Sequence, residues 1–315
     1  MIEDFKNPTY MRSRHSRDPV GLICHGDTGC YTLLIFAPNE QLMHNYSGMG
    51  LGGGTGAGVD PFVTNKQIVF MGDSTFFHSG QAAISNSLFG KQDITYIILD
   101  NHTTGMTGHQ THAGLGRDLL NNTTAEQNIE SIIRATLEPD GCLVMRANPH
   151  DRKRYRQVLE QTILHDGVKV IIADRECSIV LNRRVNRQRQ TEIAKRGYLR
   201  KRSYTNITEE VCDYCLRCTS LTSCPGFSIG QTDYGPKIQA DLSWCVGDGT
   251  CEQIGACPAM EQLTVIRKKR FQMRSAELYL EKFPPPQVCQ EKRPWRAHIA
   301  GVGGMGIGVA TTILV

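Results

Sequence analysis

The chain is short of net charge: 35 lysines and arginines against 31 aspartates and glutamates leave a formal +4. So small a balance gives no ground for a nucleic-acid partner, which calls for a concentrated basic excess. Long apolar runs are also missing, and nothing approaches the roughly 18 residues of a membrane-crossing helix. The first residues hold Glu3, Asp4 and Lys6 where a secretory leader has an apolar core. We therefore expect a cytoplasmic protein with no membrane partner. Aromatic side chains make up only 7%, so a core must rest on aliphatic residues. Cysteine is the exception to this scarcity. There are 12, and seven lie between Cys212 and Cys257. Without a leader, such clustering reads as metal ligation before disulfides.

At 315 residues the chain is long enough for one substantial core and a smaller module. Residues 20–175 alternate short apolar runs with helical periods. Gln67–Met71, Ile94–Leu99, Leu143–Ala147 and Val168–Ala173 read as buried strands. His78–Phe89 reads as a helix stopped by Gly90, and Tyr155, Val158, Leu159 and Thr162 mark one face of another. Thr123 and Glu126 form a capping-box signature ahead of Ile129, Ile132 and Ile133. This alternation predicts an α/β domain with a mainly parallel sheet over 1–185.

Within it, Gly72-Asp73-Ser74 follows one strand, and Asn101 follows the next after 26 intervening residues. In open α/β sheets ligands sit beyond the carboxyl ends of the strands, where helix N-termini direct their amides. Taken alone, Gly-Asp-Ser is an ordinary turn and cap. Placed at neighbouring strand tips, Asp73 and Asn101 offer two oxygens to a hard cation such as magnesium. We expect the Thr103 carbonyl as a third ligand, and Ser74 and Thr75 as donors to a phosphate. A diphosphate on that cation would complete a thiamine diphosphate site.

The cysteines form a repeat. Cys212-x2-Cys215-x2-Cys218-x5-Cys224-Pro225 is followed, 33 residues on at every position, by Cys245-x2-Asp248-x2-Cys251-x5-Cys257-Pro258. The pattern resembles a bacterial two-cluster ferredoxin, with five residues before Cys-Pro where three are usual. That resemblance implies two iron–sulfur clusters over 207–265, each taking its fourth ligand from the other run. One 4Fe-4S cluster would use Cys212, Cys215, Cys218 and Cys257. The other would use Cys245, Cys251, Cys224 and Asp248, either as a 4Fe-4S cluster with a carboxylate ligand or as a 3Fe-4S cluster. Carboxylate oxygen is harder than thiolate, so an iron there is expected to be labile. Zinc is the competing metal, although one zinc needs fewer ligands than a triple run supplies.

Three segments together, Gly26–Leu33, Gly72–Gly80 and Leu99–Gln110, resemble the thiamine-binding half of indolepyruvate ferredoxin oxidoreductases, which are 2-oxoacid:ferredoxin oxidoreductases. The likeness covers roughly residues 20–265. It implies that Asp73, Asn101 and Thr103 bind magnesium, that Gly29, Gly72, Ser74 and Thr75 surround the cofactor, and that His78 or His109 faces the reacting carbon. It further implies oxidative decarboxylation of an aryl pyruvate, with coenzyme A and ferredoxin as acceptors. A further domain or subunit is expected to supply the carboxylate that activates thiamine, so the chain is expected to be inactive alone. Two positions depart from the family: Gly105 stands where alanine is usual, and Thr111 where proline is. His109 and His112, three apart, are also a conceivable metal pair. Pyruvate, branched-chain oxoacids and phenylglyoxylate stay open as substrates, as does a pure electron-transfer role.

Seven glycines between Gly48 and Gly58 read either as a mobile loop or as a helix closely approached by backbone or cofactor. Arg183–Arg202 is strongly basic and loses the apolar period, so 186–206 reads as a linker. A solvated connector, a dock for an acidic electron carrier and a nucleic-acid contact are its alternatives. A Pro284-Pro285-Pro286 linker spans 266–292. Gly301-x-Gly303-x2-Gly306 is expected to open a truncated Rossmann-like domain over 293–315, a weak dinucleotide fingerprint by itself.

Overall fold

The computed structural model describes residues 20–36, 42–137, 142–222, 224–255 and 257–268. The expected proline linker and Rossmann-like start lie almost wholly outside them. Two compact units divide the chain, one up to Val180 and one from Leu181.

The first unit is built on six strands: β1 (Leu22–Gly26), β2 (Asn45–Tyr46), β3 (Lys66–Gly72), β4 (Ile94–Asp100), β5 (Leu143–Ala147) and β6 (Lys169–Asp174). Their order is β2-β1-β3-β4-β6-β5, and every pairing is parallel. Side chains alternate between faces along a strand. Ile68, Phe70, Ile97 and Ile171 therefore face one way, onto Tyr155, Val158, Leu159 and Ile163 of the helix Arg152–Ile163. Val69, Met71, Tyr96, Ile98, Val170 and Ile172 face the other way, onto Ile84 and the helix Ile129–Leu137. Covering both faces explains why the strands read as continuous apolar runs.

Two local expectations change. Thr123 is not a helix cap, because it bridges Arg117 in an extended pair. Asn128 caps the helix instead, its Oδ1 accepting from the Ser131 backbone amide at 2.9 Å. The helical run after β3 is also interrupted: Asp73–Thr75 is α, Phe76–Gly80 is a π turn, and α resumes over Gln81–Phe89.

The second unit holds two antiparallel pairs. β7 (Lys201–Ile207) pairs with β10 (Met260–Ile266), and β8 (Phe227–Thr232) pairs with β9 (Gly235–Ala240). Ile207, Ile238, Ala259 and Met260 pack with Cys212 and Cys218 into a small core. The stretch expected as a linker over 186–206 is structured. It is helix from Ser178 to Arg196 and then strand β7. The helix buries no residue completely, so no clean apolar period was available to announce it.

Candidate functional site

Gly72 pairs with Leu99 across β3 and β4, so both strands end side by side. The chain leaves β3 into Asp73 and leaves β4 into Asn101. Asp73 is buried, with 1% of its surface exposed. Its Oδ1 accepts from the Ser74 amide at 2.7 Å, and its Oδ2 from the Thr103 amide at 3.1 Å. Asn101 Oδ1 accepts from that same Thr103 amide, also at 3.1 Å. One N–H shared by two oxygens holds both close together at the strand tips. A buried carboxylate beside a neutral amide oxygen is a donor set suited to a hard cation. The expected residues Asp73, Asn101 and Thr103 are thus brought together.

The sequence singled out His112 only as a conceivable metal partner of His109, yet it completes this corner. Its Nε2 lies 3.2 Å from Asp73 Oδ2, its Nδ1 accepts from the Gly114 amide, and its ring stacks on Phe77 with centroids 5.4 Å apart. His109 is half-buried on a left-handed backbone, φ +67°. His78 is exposed in the π turn, and its Nδ1 sits 3.0 Å from Ser79 Oγ.

A second wall comes from β1. Asp27 is fully buried; its Oδ1 accepts from the Tyr31 hydroxyl, and its Oδ2 from the Gly50 amide at 2.9 Å. Burial pushes the Asp27 carboxyl upward, against those hydrogen bonds. The Tyr31 hydroxyl reaches Thr75 Oγ1 at 3.4 Å, which ties β1 to the turn after β3. Gly50 has φ +84°, and a Cβ there would fall on the Ser79 side chain, so glycine is required. Gly29 and Gly72 both border the Tyr31 ring. The Cys30 sulfur lies 3.2 Å from where a Gly105 Cβ would stand, so the thiol fills much of the space an alanine would take. Burial raises the Cys30 thiol, and Cys177 and Asp73 add to the effect.

Beside the strand tips, Asp100 and Asp174 pair across β4 and β6. Arg146 reaches Asp174 at 2.6 Å, Asp100 at 3.4 Å and Glu130 at 2.7 Å. His102, on a left-handed backbone next to Asn101, reaches Asp174 at 2.8 Å. Burial alone depresses the imidazole; the Asp174 bond and the Asp100 charge outweigh it and raise it.

The cysteine module keeps its repeat in three dimensions. Cys212 and Cys245 amides donate to the carbonyls of Thr208 and Asp241, at 3.1 and 2.9 Å. Phe227 and Met260 amides donate to the carbonyls of Cys224 and Cys257, both at 3.3 Å. Tyr214 and Leu216 have φ +58°, and their counterparts Gly247 and Gly249 have +71° and +73°. Each pair is offset by the same 33 residues as the cysteines. The Cys218 thiol is raised by burial and by Cys257 and Cys212 nearby; the Cys224 thiol is raised by burial and by Cys251, Cys245 and Asp248. Except for Cys212, these neighbours cross between the runs. The described cysteines form no disulfide.

Residues 27–173 match the family described as "Thiamine pyrophosphate enzyme, C-terminal TPP binding domain". Over 235 residues, 74% of this chain, it is 34% identical to indolepyruvate oxidoreductase subunit IorA of Archaeoglobus fulgidus. It is 33% identical to the same subunit of Methanothermobacter thermautotrophicus over 233 residues, again 74% of this chain. The chain spans 34% of the length of each of these relatives. A solved 2-oxoglutarate:ferredoxin oxidoreductase from Magnetococcus marinus is a more distant likeness, at 15% identity and TM-score 0.44, covering 55% of this chain and 61% of that one. These matches bear out the resemblance carried by the three thiamine-side segments, and the family match lies within the first unit.

Proposed function

We propose that this chain is the thiamine-binding and electron-transferring portion of a 2-oxoacid:ferredoxin oxidoreductase acting on an aryl pyruvate such as indolepyruvate. The observation that supports it most is the shared amide of Thr103, which draws Asp73 Oδ2 and Asn101 Oδ1 to one point at adjacent strand tips. Magnesium is held by Asp73, Asn101 and the Thr103 carbonyl. Ser74 and Thr75 bind the diphosphate, with Gly29 and Gly72 allowing close approach. Bound thiamine diphosphate supplies the electron sink for cleaving the bond between a 2-oxoacid's carboxylate and its carbonyl carbon. His112 holds the Asp73 carboxylate in place, and His109 or His78 handles a proton near the substrate.

In the second unit, Cys212, Cys215, Cys218 and Cys257 hold one iron–sulfur cluster. Cys245, Cys251, Cys224 and Asp248 hold the other. Such clusters accept electrons one at a time, as an oxidation needing a one-electron carrier requires. Coenzyme A takes the acyl group, ferredoxin takes the electrons, and a partner domain or subunit provides the thiamine-activating carboxylate.

Calorimetric titration of the chain with thiamine diphosphate and magnesium tests the first half. Saturable, magnesium-dependent binding that Asp73→Ala abolishes is expected. Magnesium-independent binding, or binding that survives the substitution, overturns it and leaves an electron-transfer protein. Electron paramagnetic resonance of anaerobically reconstituted protein tests the second half. Two clusters are expected, one of them converting between three-iron and four-iron signals as ferrous iron is removed and restored. Two invariant all-cysteine cubanes, or a single cluster, refute the assignment of Asp248.

A further inference from the structure

The basic helix Ser178–Arg196 and the start of β7 are not used by the site above. Between Ser178 and Arg202 stand nine lysines and arginines and a single acid, Glu192, in a chain whose net charge is only +4. Glu192 is engaged: its carboxylate accepts from the Arg200 amide at 3.2 Å. The helix turns Leu181, Val185, Arg189 and Glu192 partly inward, and leaves Arg183, Arg184, Arg187, Lys195 and Arg196 exposed. Arg184, Arg187 and Lys195 recur at helical spacing along one outward stripe.

The other side of the helix adjoins the second cysteine run. Arg189 donates to the Val246 carbonyl at 3.4 Å, and Arg202 to the Leu242 carbonyl at 2.6 Å. Two arginines thus grip the loop that carries Cys245. Beside them lies a groove of about 410 Å³ with Ile193, Leu199, Leu242 and Val265 in its walls and Arg202 and Arg267 at its edge. Ile193, Leu242 and Val265 are 44%, 41% and 37% exposed. An apolar patch rimmed by one sign of charge is the anatomy of a protein–protein interface, with the rim steering encounter.

We propose that this face docks an acidic one-electron carrier protein, so that electrons leave through the cluster held by the Cys245 run. The inference rests on the iron–sulfur assignment made above. Charge complementarity selects the partner, and the apolar groove favours a folded protein over a phosphate polymer, which needs only a charged track.

The test uses the assembled holoenzyme, an acidic bacterial-type ferredoxin as probe, and the triple variant Arg196→Glu, Arg200→Glu, Arg267→Glu, at the groove and on both sides of its Gly197–Leu199 wall. These side chains are exposed, and Arg189 and Arg202 are left in place to hold the Cys245 loop. Oxidised ferredoxin is expected to bind the variant about 30-fold more weakly at low salt, as three reversed rim charges imply. The wild type should lose most of that advantage at about 0.3 M salt. Reduction of the small dye methyl viologen by 2-oxoacid should be unchanged. Equal ferredoxin affinity in variant and wild type overturns the proposal. So does a parallel loss of dye reduction, which signals structural damage, and so does tighter binding to a 20-base-pair DNA duplex than to ferredoxin. Absence of dye reduction in the wild type refutes the oxidoreductase reading instead, while ferredoxin binding still reports on this face.

Discussion

The helix Gly52–Val59 allows a sharp test, because its glycines fall on two sides. Gly54 and Gly58 are exposed, and a Cβ at either would meet nothing within 4 Å. Gly53 is buried, and a Cβ there would lie 2.5 Å from Ala83 Cβ and 3.2 Å from the Tyr96 ring. At Gly52 it would lie 3.0 Å from the Gly26 carbonyl carbon, against the backbone that leads into Asp27. Alanine in place of a helical glycine gains about 0.8–1 kcal/mol, partly by restricting the unfolded chain. Gly54→Ala and Gly58→Ala should each realise that gain. In a unit of this size, 1 kcal/mol corresponds to about 2–4 °C in Tm. The same gain is available at Gly53, but overpacking against Ala83 and a ring held by Ser87 and Ala83 costs about 1–3 kcal/mol. Gly53→Ala should therefore be destabilising by about 1 kcal/mol net. Thermal denaturation of the full chain followed by circular dichroism measures all three variants. A tolerated Gly53→Ala, or exposed-side variants that do not stabilise, would show that this helix is not packed on Tyr96 of β4 and the helix Gln81–Phe89 as described.

Three more perturbations separate specific interactions. Lys169 is completely buried and paired with Asp93, which also binds Lys66 at 2.7 Å. Lys169→Met leaves Asp93 a partner and should cost under about 1 kcal/mol, whereas Asp93→Ala strands a buried ammonium and should cost about 3–5 kcal/mol by urea denaturation. Arg146 and His102 hold Asp174 below the ordinary 3.8 despite burial, and Arg146 with Arg134 holds Glu130 below 4.5. Depressed carboxylates contribute stability above their unfolded values and lose it as pH falls through the folded ones. Arg146→Met should therefore cost about 1–2 kcal/mol at neutral pH and flatten the loss of stability below about pH 4. Asp100, raised by burial, contributes with the opposite sign and only partly offsets this. On the iron–sulfur assignment proposed above, Asp248→Cys should abolish iron exchange at the second cluster, leaving two signals of equal stability under chelator; continued loss of one iron would place the labile site elsewhere.

Four strands of the first unit, β3 to β6, were legible as largely apolar stretches because helices cover both faces of the sheet there, whereas the two-residue β2 buries neither of its residues and left no such signal. Ile68 and Val69 are equally inaccessible although they point to opposite helices. The capping signal misled because Thr123 and Glu126 satisfy a local rule that a longer-range bridge, Arg117 to Thr123, overrides. The basic helix was illegible for a different reason. Arg189 and Arg202 are held by carbonyls of a loop more than forty residues away in sequence, or close to it, and no hydrophobic spacing records such bonds.

At the thiamine side, the spacing of Asp73 and Asn101 was sufficient because two parallel strands in register end together, so sequence separation translates directly into adjacency. Asp27, Tyr31 and His112 come to the same corner from a loop after β1 and from an irregular segment, and their meeting depends on Gly50 and on the stack with Phe77. At the cysteine side, the repeat announced more than ligands. A left-handed backbone recurs between the first three repeat positions of each run, but glycine occupies it only in the second, while Tyr214 and Leu216 occupy it in the first. A left-handed conformation is unfavourable for such side chains. The first run therefore keeps its loop against an opposing local preference, and the packing of Cys212 and Cys218 in the small core, with Tyr214 against it, is what the structure sets against that cost. The second run has no such opposition in its loop, and it carries Asp248 where the first run has Cys215.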